Sequence, residues 1–239
     1  MEIRSSSVLP ALRTDITLHT NDGLTLVGEL ALPESREPQA TLVFLHPLPT
    51  AGGYMDSHLI RKASNRLPAL ADVATLRFNF RGVSSPRGQS EGVFGEGEAE
   101  AHDLAAALRF VHEQKLPNVW LVGWSFGTEV ILKHAPTHWG EFEGTILMAP
   151  PLHRATATDL AQWVGRSEPV VALVPEFDDF LTPDPARERF AAIPHAEVVT
   201  MAGAKHLFVG EKYTRMALES ILDRVAPDAL PVPTTWQGD

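Results

Sequence analysis

Gly123-Trp124-Ser125-Phe126-Gly127 reads G-x-S-x-G and lies between a short apolar run, Asn118 to Gly123, and a helix-like stretch, Phe126 to Ala135, stopped by Pro136. A sharp strand-to-helix turn would hold Ser125 in a strained backbone conformation and lift its hydroxyl clear of a sheet. Gly123 and Gly127 stand where a Cβ would strike a neighbouring element. The helix N-terminus behind the serine points backbone N–H groups outward, which favours developing negative charge. A serine hydroxyl needs a base. His206 follows the strand-like run Glu197 to Met201 and can take a proton near neutral pH. Three carboxylates, Glu176, Asp178 and Asp179, follow the run Pro169 to Val174, and one of them would fix the imidazole tautomer and stabilise the imidazolium. A tetrahedral oxyanion needs two backbone donors. Phe126 supplies one. The loop after Ala40 to His46 reads His46-Pro47-Leu48-Pro49, and since proline has no N–H, Leu48 supplies the other.

The elements that would position these groups alternate. Asp15 to Thr20 and Leu24 to Leu32 predict a hairpin across Asn21-Asp22-Gly23. Ala40 to His46 and Ala74 to Phe80 are strands, separated by a helix over Asp56 to Leu70 that ends near Pro68. A Gly/Ser/Pro-rich loop from Arg81 to about Gly97 precedes a helix over Glu98 to Lys115. Thr145 to Ala149 is another strand, Pro185 to Ala192 a helix, and Leu207 to Val225 the last helix. From Ala226 onward a proline-rich tail, residues 226–239, forms a strap or a loose end. Strands alternating with helices predict a mainly parallel sheet covered on both faces, with ligands at the carboxyl ends of its strands.

Composition narrows the function. The 239 residues favour a single domain over 1–239. Twenty Lys and Arg against 30 Asp and Glu give a formal charge of −10, the wrong balance for nucleic acid. The absence of cysteine removes disulfides, thiolate metal sites and a thiol nucleophile. No apolar run approaches the roughly 20 residues that span a bilayer. The expectation is a soluble cytoplasmic protein with no membrane partner, its oligomeric state undetermined by sequence. His134 and His138 flank Pro136, and His112-Glu113 lacks a second histidine, so neither pair predicts a metal site. Gly92, Gly95 and Gly97 do not form a dinucleotide loop, and the glutamates around them would repel a pyrophosphate. Phe110, Trp120, Trp124 and Phe126 read as core.

The chain resembles the α/β-hydrolase superfamily from about Asp15 to about Val225, and most closely the compact, lidless bacterial serine hydrolases similar to dienelactone hydrolase. His46-Pro47-Leu48-Pro49 with Gly52-Gly53-Tyr54-Met55-Asp56 resembles that group's H-P…G-G-x-M-D stretch, and Asn79-Phe80-Arg81-Gly82-Val83 its N-F-R-G-V loop. Pro175-Glu176-Phe177-Asp178 resembles the P-E-x-D acid turn, which favours Asp178, and Ala202 to His206 the G-x-x-H loop. The segment Val83 to Ser90 departs from the group as an insertion. The resemblance implies an α/β-hydrolase fold: a mostly parallel, twisted sheet of about eight strands with helices on both faces. Only residues 152–168 separate two strands where lids enter such folds, so no large cap domain is expected, with one short helix over Thr158 to Val164 and Trp163 or His153 lining an open cleft. The activity implied is that of a carboxylesterase-like serine hydrolase acting on a small or exposed acyl substrate through an acyl-enzyme. Ser125, His206 and Asp178 would form the triad, Leu48 and Phe126 the oxyanion hole, and no cofactor or metal is required. The same triad would serve a thioesterase or a serine peptidase, and the fold without catalysis would serve as a binding protein.

Overall fold

The structure is a computed structural model, and it describes residues 1–237. An antiparallel hairpin, β1 (Leu12–His19) and β2 (Thr25–Leu32), opens the chain. Gly23 carries the positive φ of its turn, at 89°, and the Thr20 hydroxyl accepts the Leu24 N–H at 2.9 Å. Then come β3 (Ala40–Leu45), α1 (His58–Ala71), β4 (Val73–Phe78), the two-residue strands β5 (Ser84–Ser85) and β6 (Gly88–Gln89), and α2 (Glu100–Glu113). The second half runs β7 (Val119–Trp124), α3 (Phe126–His134), β8 (Gly144–Met148), α4 (Ala157–Ala161), β9 (Val170–Phe177), α5 (Pro183–Phe190), β10 (Ala196–Lys205) and α6 (Glu211–Val225).

Eight strands form one sheet in the order β1-β2-β4-β3-β7-β8-β9-β10, antiparallel where β1 and β2 join and parallel from β4 to β10. Strand residues point alternately to opposite faces, so the continuous apolar runs of β3 and β7 feed two cores. Val43, Leu45 and Leu121 join Leu104 of α2 and Val130 of α3 on one face. Leu42, Phe44 and Trp120 join Leu59 of α1 and Leu218 of α6 on the other. The residues between β8 and β9 hold α4 and no cap domain, and among the described residues no helix is long and apolar enough to cross a membrane.

Several boundaries differ from those read in the sequence. Helix α1 does not end near Pro68 but passes through it to Ala71. Proline cannot donate to the carbonyl four residues back, Ser64 O, and an interior proline costs about 3 kcal/mol. The guanidinium of Arg13 on β1 supplies the missing donor at 2.9 Å. Helix α6 starts at Glu211 instead of Leu207, because Phe208 and Gly210 take φ of 48° and 107°. Strands β9 and β10 run on to Phe177 and Lys205, with an irregularity in register between Met201 and Lys205. The Gly/Ser/Pro loop contains the β5–β6 hairpin, anchored where Arg87 pairs with Glu29 at 2.7 Å and Asp15 at 2.8 Å. The tail folds as a strap: Ile3 N–H donates to Thr234 O and Trp236 N–H to Met1 O, both at 2.8 Å. Its last two residues, 238 and 239, lie outside the described residues.

Candidate active site

At the end of β7 the chain turns sharply into α3. Ser125 sits in the turn at φ 51° and ψ −115°, a conformation that L residues adopt at a cost of about 1–3 kcal/mol. The surroundings hold it there: its N–H donates to Met148 O of β8 at 2.8 Å, and its carbonyl accepts from the Thr128 N–H and hydroxyl at 2.9 and 2.6 Å. Both flanking glycines are required by close approach. A Cβ on Gly123 would lie 2.6 Å from Thr128 N of α3, and one on Gly127 would lie 2.1 Å from Leu45 O of β3.

The structure brings the three distant side chains together. His206 Nε2 lies 2.9 Å from Ser125 Oγ, and His206 Nδ1 lies 2.8 Å from Asp178 Oδ2. All three residues are at least nine-tenths buried. A carboxylate only accepts, so Nδ1 carries the hydrogen and Nε2 offers its lone pair to the hydroxyl. The other Asp178 oxygen, Oδ1, accepts the N–H groups of Phe180 and Leu181 at 2.8 and 3.2 Å, which locks the carboxylate plane. The competing acids stand elsewhere. Asp179 is exposed, and Glu176 accepts the Gly203 N–H at 2.7 Å, bracing β9 against the irregular end of β10.

Leu48 caps a single helical turn, Pro49–Ala51, and Phe126 is the first residue of α3. Neither N–H meets an acceptor among the described residues. The loop that carries Leu48 is strongly held. His46 is fully buried, with Nδ1 2.7 Å from Pro47 O and Nε2 accepting the Phe80 N–H at 3.1 Å. Burial pushes its pKa down to about 4, so the ring is neutral and carries its hydrogen on Nδ1. Gly53 lies so close to the loop that a Cβ would sit 2.1 Å from Pro47 O. Beyond it, Met55 N–H donates to Asn79 Oδ1 at 3.0 Å, and Asp56 pairs with Arg77, a buried guanidinium also held by Glu29 at 2.7 Å.

An aromatic row forms one wall. Phe180 is 53% exposed, meets the His206 ring edge-on at 4.6 Å, and meets exposed His153 at 5.4 Å. Trp163 does not line the cleft. It is fully buried because its indole N–H finds an acceptor in the core, Leu132 O at 3.0 Å. Opposite, the chain that follows the β5–β6 hairpin brings Phe94 against Phe126 at 5.3 Å, and the Arg154 guanidinium lies over the same ring at 5.6 Å. The segment before α4 is fastened to α3 itself, since Glu129 accepts the backbone N–H groups of Arg154 and Ala155. A surface depression of about 420 Å³ lies away from these residues, between Pro33 and Trp236. Sequence reasoning missed Phe180, although an aromatic two residues beyond an acid turn was a usable signal. His46 has no role from sequence alone, although a polar residue at the end of a mainly apolar strand must find partners inside.

This arrangement sets a serine hydroxyl against an imidazole oriented by a carboxylate, with the Phe126 N–H on the next residue left without an acceptor among the described residues. The model of the alpha/beta hydrolase family matches residues 42–183, more than half of the chain. The chain belongs to the α/β-hydrolase family. Among solved structures, the protein XC6422 from Xanthomonas campestris, described as an α/β serine hydrolase without a lid, is 29% identical. The match covers 93% of this chain and 99% of that one with a TM-score of 0.73. A structure described as an α/β serine hydrolase homologue from Coxiella burnetii is 27% identical, covering 89% and 97% of the two chains with a TM-score of 0.74. No curated protein matches the sequence. Like the Xanthomonas protein, this α/β hydrolase has no cap over the carboxyl edge of its sheet.

Proposed function

We propose that this α/β hydrolase is a carboxylesterase-like serine hydrolase that cleaves small or exposed esters through an acyl-enzyme. The observation that carries the reading is the continuous relay Asp178–His206–Ser125, with contacts of 2.8 and 2.9 Å. Ser125 Oγ attacks the ester carbonyl carbon while His206 Nε2 takes its proton. The carbonyl oxygen becomes an oxyanion facing the N–H groups of Leu48 and Phe126, each worth about 2.7–4 kcal/mol in such sites. The tetrahedral species collapses, His206 returns the proton to the leaving alkoxide, and the alcohol departs. Water, deprotonated by the same nitrogen, attacks the acyl carbon; the bond to Ser125 Oγ breaks, His206 returns the proton to that oxygen, and the acid departs. Asp178 keeps Nδ1 protonated throughout and stabilises the imidazolium. The lack of a cap domain, with Phe180 exposed beside His206, suits acyl groups that need not be enclosed.

The test uses a fluorophosphonate probe and short-chain p-nitrophenyl esters with the parent protein and Ser125→Ala. The expected result is covalent labelling and turnover in the parent and neither in the variant. Equal background turnover and no labelling in both would refute the reading and leave a binding protein.

A further inference from the structure

The loop that carries His206 has few supports. It spans residues 206–210, between the end of β10 at Lys205 and the start of α6 at Glu211. Of its apolar side chains only Phe208 is buried; Leu207 and Val209 are exposed. A depression of about 290 Å³, lined by Asp179, Gly203, Leu207, Val209 and Tyr213, adjoins His206 and leaves that side of the loop unbacked. With Leu207 and Val209 exposed, the backbone between the buried side chains of His206 and Phe208 depends on its own hydrogen bonds for its position.

Two side chains from other elements tie it. The Trp124 indole N–H donates to His206 O at 3.2 Å. His58 Nε2 lies 2.7 Å from Leu207 O and, since a carbonyl only accepts, it is the donor. His58 is the first residue of α1 and stands edge-on to Trp124, ring centres 5.3 Å apart at 89°. Successive carbonyls of the histidine loop are thus held by the residue before the nucleophile and by a helix start on the other side of that indole. Burial holds the His58 imidazole below its ordinary pKa; the hydrogen bond to Leu207 O opposes this, Lys62 and Arg61 add to it, and Glu211 opposes it. Nε2 carries a hydrogen that it donates to Leu207 O, since the carbonyl can only accept.

We infer that His58 is a positioning residue: its hydrogen bond to the Leu207 carbonyl, braced by Trp124, keeps the His206 imidazole on Ser125. The inference rests on His206 being the base. It assigns His58 no contact with substrate. A displacement of about 1 Å in a reacting group costs up to about a hundredfold in rate, so the effect belongs in kcat and not in KM.

Two variants test it. His58→Phe keeps a ring against Trp124 and removes the donor, whereas His58→Gln restores an N–H at similar reach. Both are compared with the parent for p-nitrophenyl ester kcat and KM, for thermal midpoint, and for hydrogen exchange of the peptide covering 204–210. The expected result for His58→Phe is a tenfold to hundredfold loss in kcat, KM within about twofold, and faster exchange of that peptide. His58→Gln should recover most of both. The inference is overturned if His58→Phe keeps kcat within about twofold of the parent, or if His58→Gln is as impaired as His58→Phe. A parent that turns over no ester would instead refute the proposed function; the exchange measurement then decides alone, and unchanged protection in His58→Phe overturns the pin.

Discussion

The Leu48 N–H, which the proposed function assigns to the oxyanion, can be removed without touching Ser125, His206 or Asp178. Leu48 has φ of −52°, within the range to which a pyrrolidine ring confines proline, so Leu48→Pro fits the existing backbone. Its N–H has no acceptor among the described residues, so the substitution forfeits no internal hydrogen bond. The proline Cδ also stands where the hydrogen pointed. Removal of one such donor is worth about 2.7–4 kcal/mol of transition-state stabilisation, a loss of about 10² to 10³ in kcat. The Leu48 side chain packs against the core beside α2 and α3, so Leu48→Ala, which keeps the N–H, serves as the control for lost packing. The assay is p-nitrophenyl acetate turnover, with thermal midpoints to confirm folding. A Leu48→Pro protein that is folded and turns over within threefold of Leu48→Ala would refute the placement of the oxyanion.

Asp178→Asn must keep oxygen on the side that accepts the Phe180 and Leu181 N–H groups, which turns its NH₂ toward His206 Nδ1 and forces the hydrogen onto Nε2. A folded protein with kcat lowered about 10⁴-fold is expected, with Asp179→Asn within about twofold of the parent, both measured by ester turnover. Gly127→Ala drives a Cβ to 2.1 Å from the Leu45 carbonyl and should lower stability by about 3 kcal/mol or more, read by urea unfolding, without recovery of activity in the folded fraction. His46 resists protonation in the fold down to about pH 4, whereas the unfolded chain protonates it near 6.5. The unfolded state thus binds more protons in that window, so stability falls as pH drops from about 6.5 to about 4, by roughly 3 kcal/mol from this group. Urea midpoints of the parent should fall more steeply over that range than those of His46→Gln.

The parts of the molecule legible in the sequence are those whose signal is local. The mainly apolar β3 and β7 announce buried parallel strands, and a serine between glycines at the end of one announces a tight turn. The meeting of Ser125, Asp178 and His206 was legible because each follows a strand, which carries it to one edge of the sheet. What escaped depends on partners far away in the chain. Nothing near Pro68 indicates that Arg13 will satisfy Ser64 O and let α1 continue. Nothing near His58 points to Leu207. Glu176 and Phe177 are exposed and read as a turn, yet β9 continues to Phe177, which pairs with Lys205 of β10. Trp163 looks like a cleft aromatic until its acceptor, Leu132 O, is in view.

The two bonds that Glu129 accepts from Arg154 and Ala155 bear on how this scaffold could be enlarged. They stitch the start of the connection between β8 and β9 to α3, the helix that follows Ser125. An extra segment spliced in before Arg154 would tug on that helix and shift Ser125 with it. One spliced in past Ala155, within the stretch around α4, would leave the stitch closed, so a roof grafted there could change which molecules enter while leaving the chemistry beneath it undisturbed.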